Sequence, residues 1–130
     1  MVIDSSALVA ILYQEPEAAF FSRMIEQAAV CSISAASVLE TAMVVESRFG
    51  SLAGGMLDDL IRRASIHIVP FDAEQLAIAR TAYSNYGKGR HPAKLNFGDC
   101  ISYALARCLG EPLLYKGDDF AKTDIRAVTP

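Results

Sequence analysis

Positive charge is in short supply: 12 lysines and arginines stand against 15 acids, a formal net charge of −3. A chain of this sign does not bind nucleic acid through a general electrostatic field. Any such partner has to be met by a local basic patch or through metal ions. Cysteine is scarce as well. Cys31, Cys100 and Cys108 are odd in number and form no CxxC pair, which excludes a disulfide framework and leaves reduced thiols in a cytoplasmic protein as the expectation. Neither GxxxxGK[ST] nor GxGxxG occurs, so nothing supports a bound nucleotide cofactor. There is no GxSxG and there are only two histidines, so a serine nucleophile has no support either. No basic segment precedes the apolar start, which argues against a secretory signal. No uncharged apolar run is long enough to span a bilayer. Proline-rich and low-complexity tracts are missing too. With 52% hydrophobic and 21% charged residues, the chain reads as one globular domain over residues 1–130 with a sizeable core.

What is present alternates between strand and helix. Met1-Val2-Ile3 is a short apolar run that stops on Asp4. Ser5-Ser6 then leads into the apolar segment Ala7–Leu12, the pattern of a buried strand, a turn and a capped helix. Glu15-Pro16-Glu17 is expected to open a second helix, since proline and acids suit a first turn. Val30–Ile33 is a candidate second strand, and Ser34 a helix start. Ser51–Ser65 reads as a helix weakened by Gly54-Gly55, Ile66–Val69 as a strand, and Asp72–Tyr86 as a helix ended by Gly87. The segment Cys100–Leu109 has close helical spacing, and Pro112–Tyr115 is a fourth strand. Ile125–Val128 is a candidate edge strand. This alternation argues for an α/β fold with a mainly parallel sheet of four to five strands.

Four acidic positions stand out. In open α/β sheets, ligands bind beyond the carboxyl ends of the strands. Asp4 and the pair Asp118-Asp119 follow strands directly. Asp99 falls in a first helical turn. Glu40 lies alone in a helix whose residues from Ala35 to Val45 are otherwise small, apolar or hydroxylated, so that helix is expected to be largely buried. Each acid also has a plain structural explanation: Asp4 and Asp99 as helix caps, Glu40 on an exposed stripe with Ser37 and Ser47. Taken together, they converge on one crevice if the strands are parallel. Clustered carboxylates repel and take up protons unless a cation offsets their charge. An all-oxygen set favours Mg²⁺ or Mn²⁺ over zinc. The one concentrated basic stretch, Lys88-Gly89-Arg90-His91-Pro92-Ala93-Lys94, reads as a flexible loop able to contact phosphates.

In these residues the whole chain resembles PIN-domain ribonucleases of the VapC toxin type. The resemblance is carried by Met1–Leu8, Ser34–Glu40, Tyr86–His91, Leu95–Cys100 and Leu114–Phe120. It implies a three-layer α/β/α sandwich with an acidic pocket for one or two Mg²⁺ or Mn²⁺ ions. By that likeness Asp4 and Asp99 are direct metal ligands, and Glu40 ligates or positions the metal. Asp119 is the fourth acid, with Asp118 in support, and Ser6 is the hydroxyl beside the first acid. The implied reaction is hydrolysis of RNA phosphodiesters, leaving a 5′-phosphate, with Lys88, Arg90, Lys94 and Lys116 guiding the backbone. Implied partners are a VapB-type antitoxin and a second copy of the chain, with Phe20, Phe21, Met24, Met43 and Phe49 as spare apolar residues. No membrane partner is expected.

Two rivals remain. A phosphoacceptor receiver domain would want an acidic pair after the first strand and an aspartate after the second, and neither occurs here. A non-catalytic PIN-like protein-interaction module would usually have lost one or more of the acids.

Overall fold

The computed structural model describes residues 1–130. Strand β1 is Val2–Ile3, β2 is Ser32–Ser34, β3 is His67–Val69 and β4 is Leu113–Leu114. They form one sheet in the order β3-β2-β1-β4. All three pairings are parallel, with Val2 opposite Ser32, Ile3 opposite Leu114, and Ile33 opposite Ile68. The helices are α1 (Ser5–Leu12), α2 (Ala18–Gln27), α3 (Ala35–Phe49), α4 (Gly54–Arg63), α5 (Ala73–Tyr86) and α6 (Phe97–Leu109).

Side chains alternate across a strand, and here the alternation separates two cores. Val2 and Leu113 point to one face and pack with Leu95, Cys100, Tyr103, Ala104 and Leu105 under α5 and α6. Ile3, Ile33 and Leu114 point to the other face and pack with Leu8, Phe21, Ile25, Leu57 and Ile61 under α1, α2 and α4. The result is the expected α/β/α layering, with every strand running the same way. All strands therefore present their carboxyl ends at one edge of the sheet.

Local chemistry sets the helix ends. Asp4 caps α1 by accepting from the Ser6 amide at 3.0 Å. Ser34 caps α3 and Asp72 caps α5. Asn96 and Asp99 form a reciprocal capping box on α6, and Gly110 ends that helix in the left-handed conformation.

Three expectations are corrected. The Ile125–Val128 segment does not become a strand. It makes a single parallel bridge, Leu113 to Ala127, because β4 is two residues long and leaves only Leu113 to pair on that side. Helix α2 begins at Ala18, not at Glu15, and Pro16 lies in the preceding turn. The side chains of Glu15 and Glu17 are both drawn to Lys116. Helix α3 is not largely buried. Only Ser37, Thr41 and Val45 are covered, a narrow stripe four residues apart, while Leu39 and Met43 are 62% and 64% exposed. Of the spare apolar residues, Phe21 is buried, Phe20 and Met24 are half-buried against the core, and Met43 and Phe49 are exposed.

No helix is long and apolar enough to cross a membrane. The cysteines are unpaired, and burial pushes the thiols of Cys31 and Cys100 up, the latter to about 11, away from reactivity.

Ile33 sits fully buried in a central strand. Ile33→Ala is expected to cost about 2–5 kcal/mol, read as a lower urea midpoint with an unchanged slope.

Candidate active site

The site is assembled at the carboxyl edge of the sheet. Asp4 leaves β1 with its amide still bonded to the Leu114 carbonyl at 2.9 Å, and its side chain is 3% exposed. Both carboxylate oxygens are occupied. One accepts from the Ser6 amide and from the Ser6 hydroxyl at 2.5 Å. The other accepts from the Ser102 hydroxyl of α6, also at 2.5 Å. Ser102 in turn lies 3.4 Å from the buried Ser37 hydroxyl of α3. The Ser6 hydroxyl also accepts from the Lys116 amide. One carboxylate thus gathers β1, α1, α6 and the chain leaving β4.

Glu40 is half-buried in the middle of α3. The stripe it shares with Ser37 and Ser47 is not an exposed one, running from the buried Ser37 through half-buried Glu40 to the exposed Ser47. The Ser5 hydroxyl donates to Glu40 Oε1. Its other oxygen rests on the backbone of Gly98, where a β-carbon would come within 2.1 Å of it. Only glycine leaves room for the Glu40 carboxylate in this position against α6.

Asp99 lies in the first turn of α6 and accepts from the Asn96 amide at 3.0 Å. Burial pushes its carboxyl up to about 6, and the negative charges of Asp4, Asp119 and Glu40 push the same way, against the Asn96 hydrogen bond. Residues from four separate parts of the chain therefore share one electrostatic neighbourhood. Asp119 is exposed, yet its charge reaches Asp99. Asp118 is also exposed, and its charge acts on the Tyr115 phenol instead.

No three acidic, histidine or cysteine side chains stand close enough, as they are, to hold a metal ion. Asp4, Glu40 and Asp99 are turned onto hydroxyls or amides within reach, as mutually repelling anions do. A carboxylate has about four lone-pair sites, so these bonds leave acceptor capacity on each. The donors are all oxygen, which suits a hard divalent cation such as Mg²⁺ or Mn²⁺.

The basic residues divide. Lys88, Arg90 and Lys94 are exposed on the loop between α5 and α6. That loop is held at its base, with the Lys88 amide donating to the Leu95 carbonyl and the Leu95 amide to that of Tyr86, both at 2.9 Å. The His91 ring meets the Tyr86 ring edge-on. Lys116 is different. Its ammonium is paired with Glu15 and, at 3.2 Å, with Glu17, so it links the β4 exit to the α1–α2 turn.

A sequence model of the PIN domain matches residues 1–126. The chain belongs to the PIN-domain family. It is 55% identical over 128 residues to Ribonuclease VapC of Mycolicibacterium smegmatis, covering 98% of this chain and 99% of that relative. This PIN domain also has the fold of the Mycobacterium tuberculosis toxin VapC20, described as cleaving the sarcin-ricin loop. The TM-score is 0.81 at 17% identity, over 99% of this chain and 98% of that one. A chain of a toxin–antitoxin complex from Klebsiella pneumoniae superposes with a TM-score of 0.71 at 16% identity, over 98% and 95% of the two chains. At such identities the two structures establish the fold alone.

Ser5, Ser37, Ser102 and Gly98 were not singled out by sequence reasoning. Two signals were available. Ser102 is three residues from Asp99 and so on the same face of the helix. Glycine inside a helix costs about 1 kcal/mol against alanine, which marks a close approach.

Two predictions follow from this geometry. Gly98→Ala displaces the Glu40 carboxylate, so it raises the melting temperature by less than helix propensity alone would give. In a Glu40→Ala background the same change gives the larger rise, and equal effects in both backgrounds would remove the Gly98–Glu40 contact. For Asp99, the folded-state value near 6 lies above the usual 3.8. The folded chain therefore holds an extra proton between those values, and that stabilisation, complete below about pH 4, is lost as pH rises through about 6. Without divalent ions, Asp99→Asn gains stability relative to wild type over that rise. A constant gap in melting temperature from about pH 4 to about pH 8 would show that Asp99 is not crowded by its neighbours.

Proposed function

We propose that this PIN domain is a Mg²⁺- or Mn²⁺-dependent endoribonuclease toxin that hydrolyses RNA phosphodiester bonds and is neutralised by a VapB-type antitoxin. The observation that carries it is the shared environment of Asp4, Glu40, Asp99 and Asp119 at the carboxyl edge of a parallel sheet, where burial and like charge raise the proton affinity of Asp99. The relative from M. smegmatis is named a ribonuclease, and the Klebsiella neighbour comes from a toxin–antitoxin complex.

Asp4 and Asp99 would hold the cation directly, Glu40 directly or through water, and Asp119 would complete the set with Asp118 beside it. A cation bound there would offset the acids' repulsion, polarise the phosphoryl group and lower the pKa of the attacking water. Ser6 and Ser102 keep the Asp4 carboxylate aimed. Lys88, Arg90 and Lys94 would meet the phosphates on either side of the scissile bond, contacts that position a strand without reading its sequence. Lys116, engaged by Glu15 and Glu17, acts as a brace and leaves that task to the other three. Water is the nucleophile and the 3′ oxygen the leaving group, so the P–O3′ bond breaks and the product carries a 5′-phosphate and a 3′-hydroxyl. For partners, Leu39, Met43 and Phe49 leave an apolar strip on α3 suited to the antitoxin or to a second copy.

The test compares RNA cleavage by wild type and Asp99→Asn. Wild type is expected to cut with Mg²⁺ or Mn²⁺ and to stop when the metal is chelated. Asp99→Asn is expected to lose on the order of 100-fold in rate and to bind Mn²⁺ about tenfold or more weakly in calorimetry. Equal rates would take Asp99 out of the chemistry. Absence of any specific Mn²⁺ binding by wild type would favour a non-catalytic interaction module.

A further inference from the structure

We infer that the groove between α5 and α6 is a nucleobase subsite, taking an unpaired base of the RNA strand next to the bond that is cut. The inference rests on the nuclease reading and concerns how the substrate is held. The first turn of α6 has two sides. Gly98 and Asp99 face the acids, with Gly98 against Glu40. Phe97, Cys100 and Ile101 line the groove. The two features are thus within one helical turn, whose pitch is about 5.4 Å.

Three observations point to a base. The groove has a volume of about 790 Å³, within the range of about 300–1,000 Å³ typical of small-molecule sites. Its floor is apolar, formed by the buried Ala79, Cys100 and Ile101, while its rim carries aromatic rings, Phe97, Tyr83 and Phe71. Phe97 is 83% exposed, an unusual cost for a phenylalanine beside a buried first turn, and one that stacking would offset. The side chains that line the groove carry charge of one sign, while the Asp99 carboxylate acts on Cys100 from beyond its floor. Arg80 is the one charged residue of its lining, and the Arg90 guanidinium, from the basic loop, lies 5.6 Å from the Tyr83 ring centroid. Aromatic faces flanked by arginines are how proteins hold single-stranded RNA. In a chain with an excess of acids, a groove with no carboxylate in its lining and cations at its rim complements a polyanion better than a second copy of itself.

The subsite would favour RNA that is unpaired where it is cut, because a base in a duplex is stacked on its neighbours and cannot enter. Phe97 supplies the stacking face, Tyr83 the opposite wall, and Arg80 and Arg90 the phosphate contacts.

The experiment measures binding of a fluorescein-labelled short single-stranded RNA by anisotropy. It uses the full chain carrying Asp99→Asn so that the probe survives, and oligomeric state is followed by light scattering. Phe97→Ala is expected to weaken binding about tenfold, as loss of one base stack does, and Phe97→Trp to restore it. A series of RNAs with one abasic position is expected to contain a position that weakens binding to Phe97 protein and has no further effect on Phe97→Ala. Two results would overturn the subsite: unchanged RNA affinity in Phe97→Ala while wild type cleaves RNA, or a dimer that falls apart in Phe97→Ala with RNA affinity per chain unaltered, which would make the groove a contact between copies. Failure of wild type to cleave or bind any RNA would instead bring down the nuclease reading, and the subsite with it.

Discussion

Like charge held at close quarters is the constraint on which this structure turns. Asp4, Glu40, Asp99 and Asp119 lie toward one edge of the sheet, and the proton affinity of Asp99 is raised first by burial and then by the charges of the other three. Packing has to hold these acids against their repulsion. The means are neutral donors: hydroxyls of Ser5, Ser6 and Ser102 and the amides of Ser6 and Asn96. Hydroxyls and amides satisfy a carboxylate without neutralising it. A basic side chain in the same place would pair with the acids and compete with any cation. Lys116, whose amide reaches Ser6, turns its ammonium to Glu15 and Glu17.

The fold delivers these groups economically. Its strands are only two or three residues long, so β1 and β4 pass almost at once from core residues to the site. Val2 and Ile3 anchor opposite faces of the sheet, and the next residue is Asp4. Parallel pairing brings the chain after β4 to the same edge, where the Lys116 amide reaches Ser6. Helices α3 and α6 meet over that edge at Gly98, which brings Glu40 beside Asp99. Asp4 and Asp99 also cap α1 and α6. Capping and the proposed site role, which look like competing explanations in the sequence, are compatible in the same side chains. A cap fixes a carboxylate's position at a helix start, and a site needs that same fixity.

The outer surface follows a different logic. Helix α3 covers only Ser37, Thr41 and Val45, so its larger side chains, Leu39 and Met43, stay in water. A stripe of small and hydroxylated residues lets α3 lie close to α1 and α6, and the same close approach leaves no room beneath it for bulky groups. Apolar composition in a helix is therefore not evidence of burial all round. Arg48 stacks on Tyr13 at 4.1 Å from the ring centroid and also lies over Phe49, covering the end of that face.

Residues close in the chain were readable as a string because their interactions depend on local backbone geometry. The turn from apolar run to aspartate to serine set β1, the cap and α1. Helical spacing set α6, and alternation of strand and helix set the parallel sheet. The four acids could be picked out because each was odd in its own segment. Tertiary structure alone decided what depended on partners far along the chain. It determined that Ser102 reaches Asp4 across 98 positions, that Gly98 makes room for Glu40, that Lys116 turns to Glu15, and that α3 is half in water. The physical reason is that hydrogen bonds and close packing act over a few ångströms. Which residues come within that range is settled by how whole elements stack, and no local pattern records it.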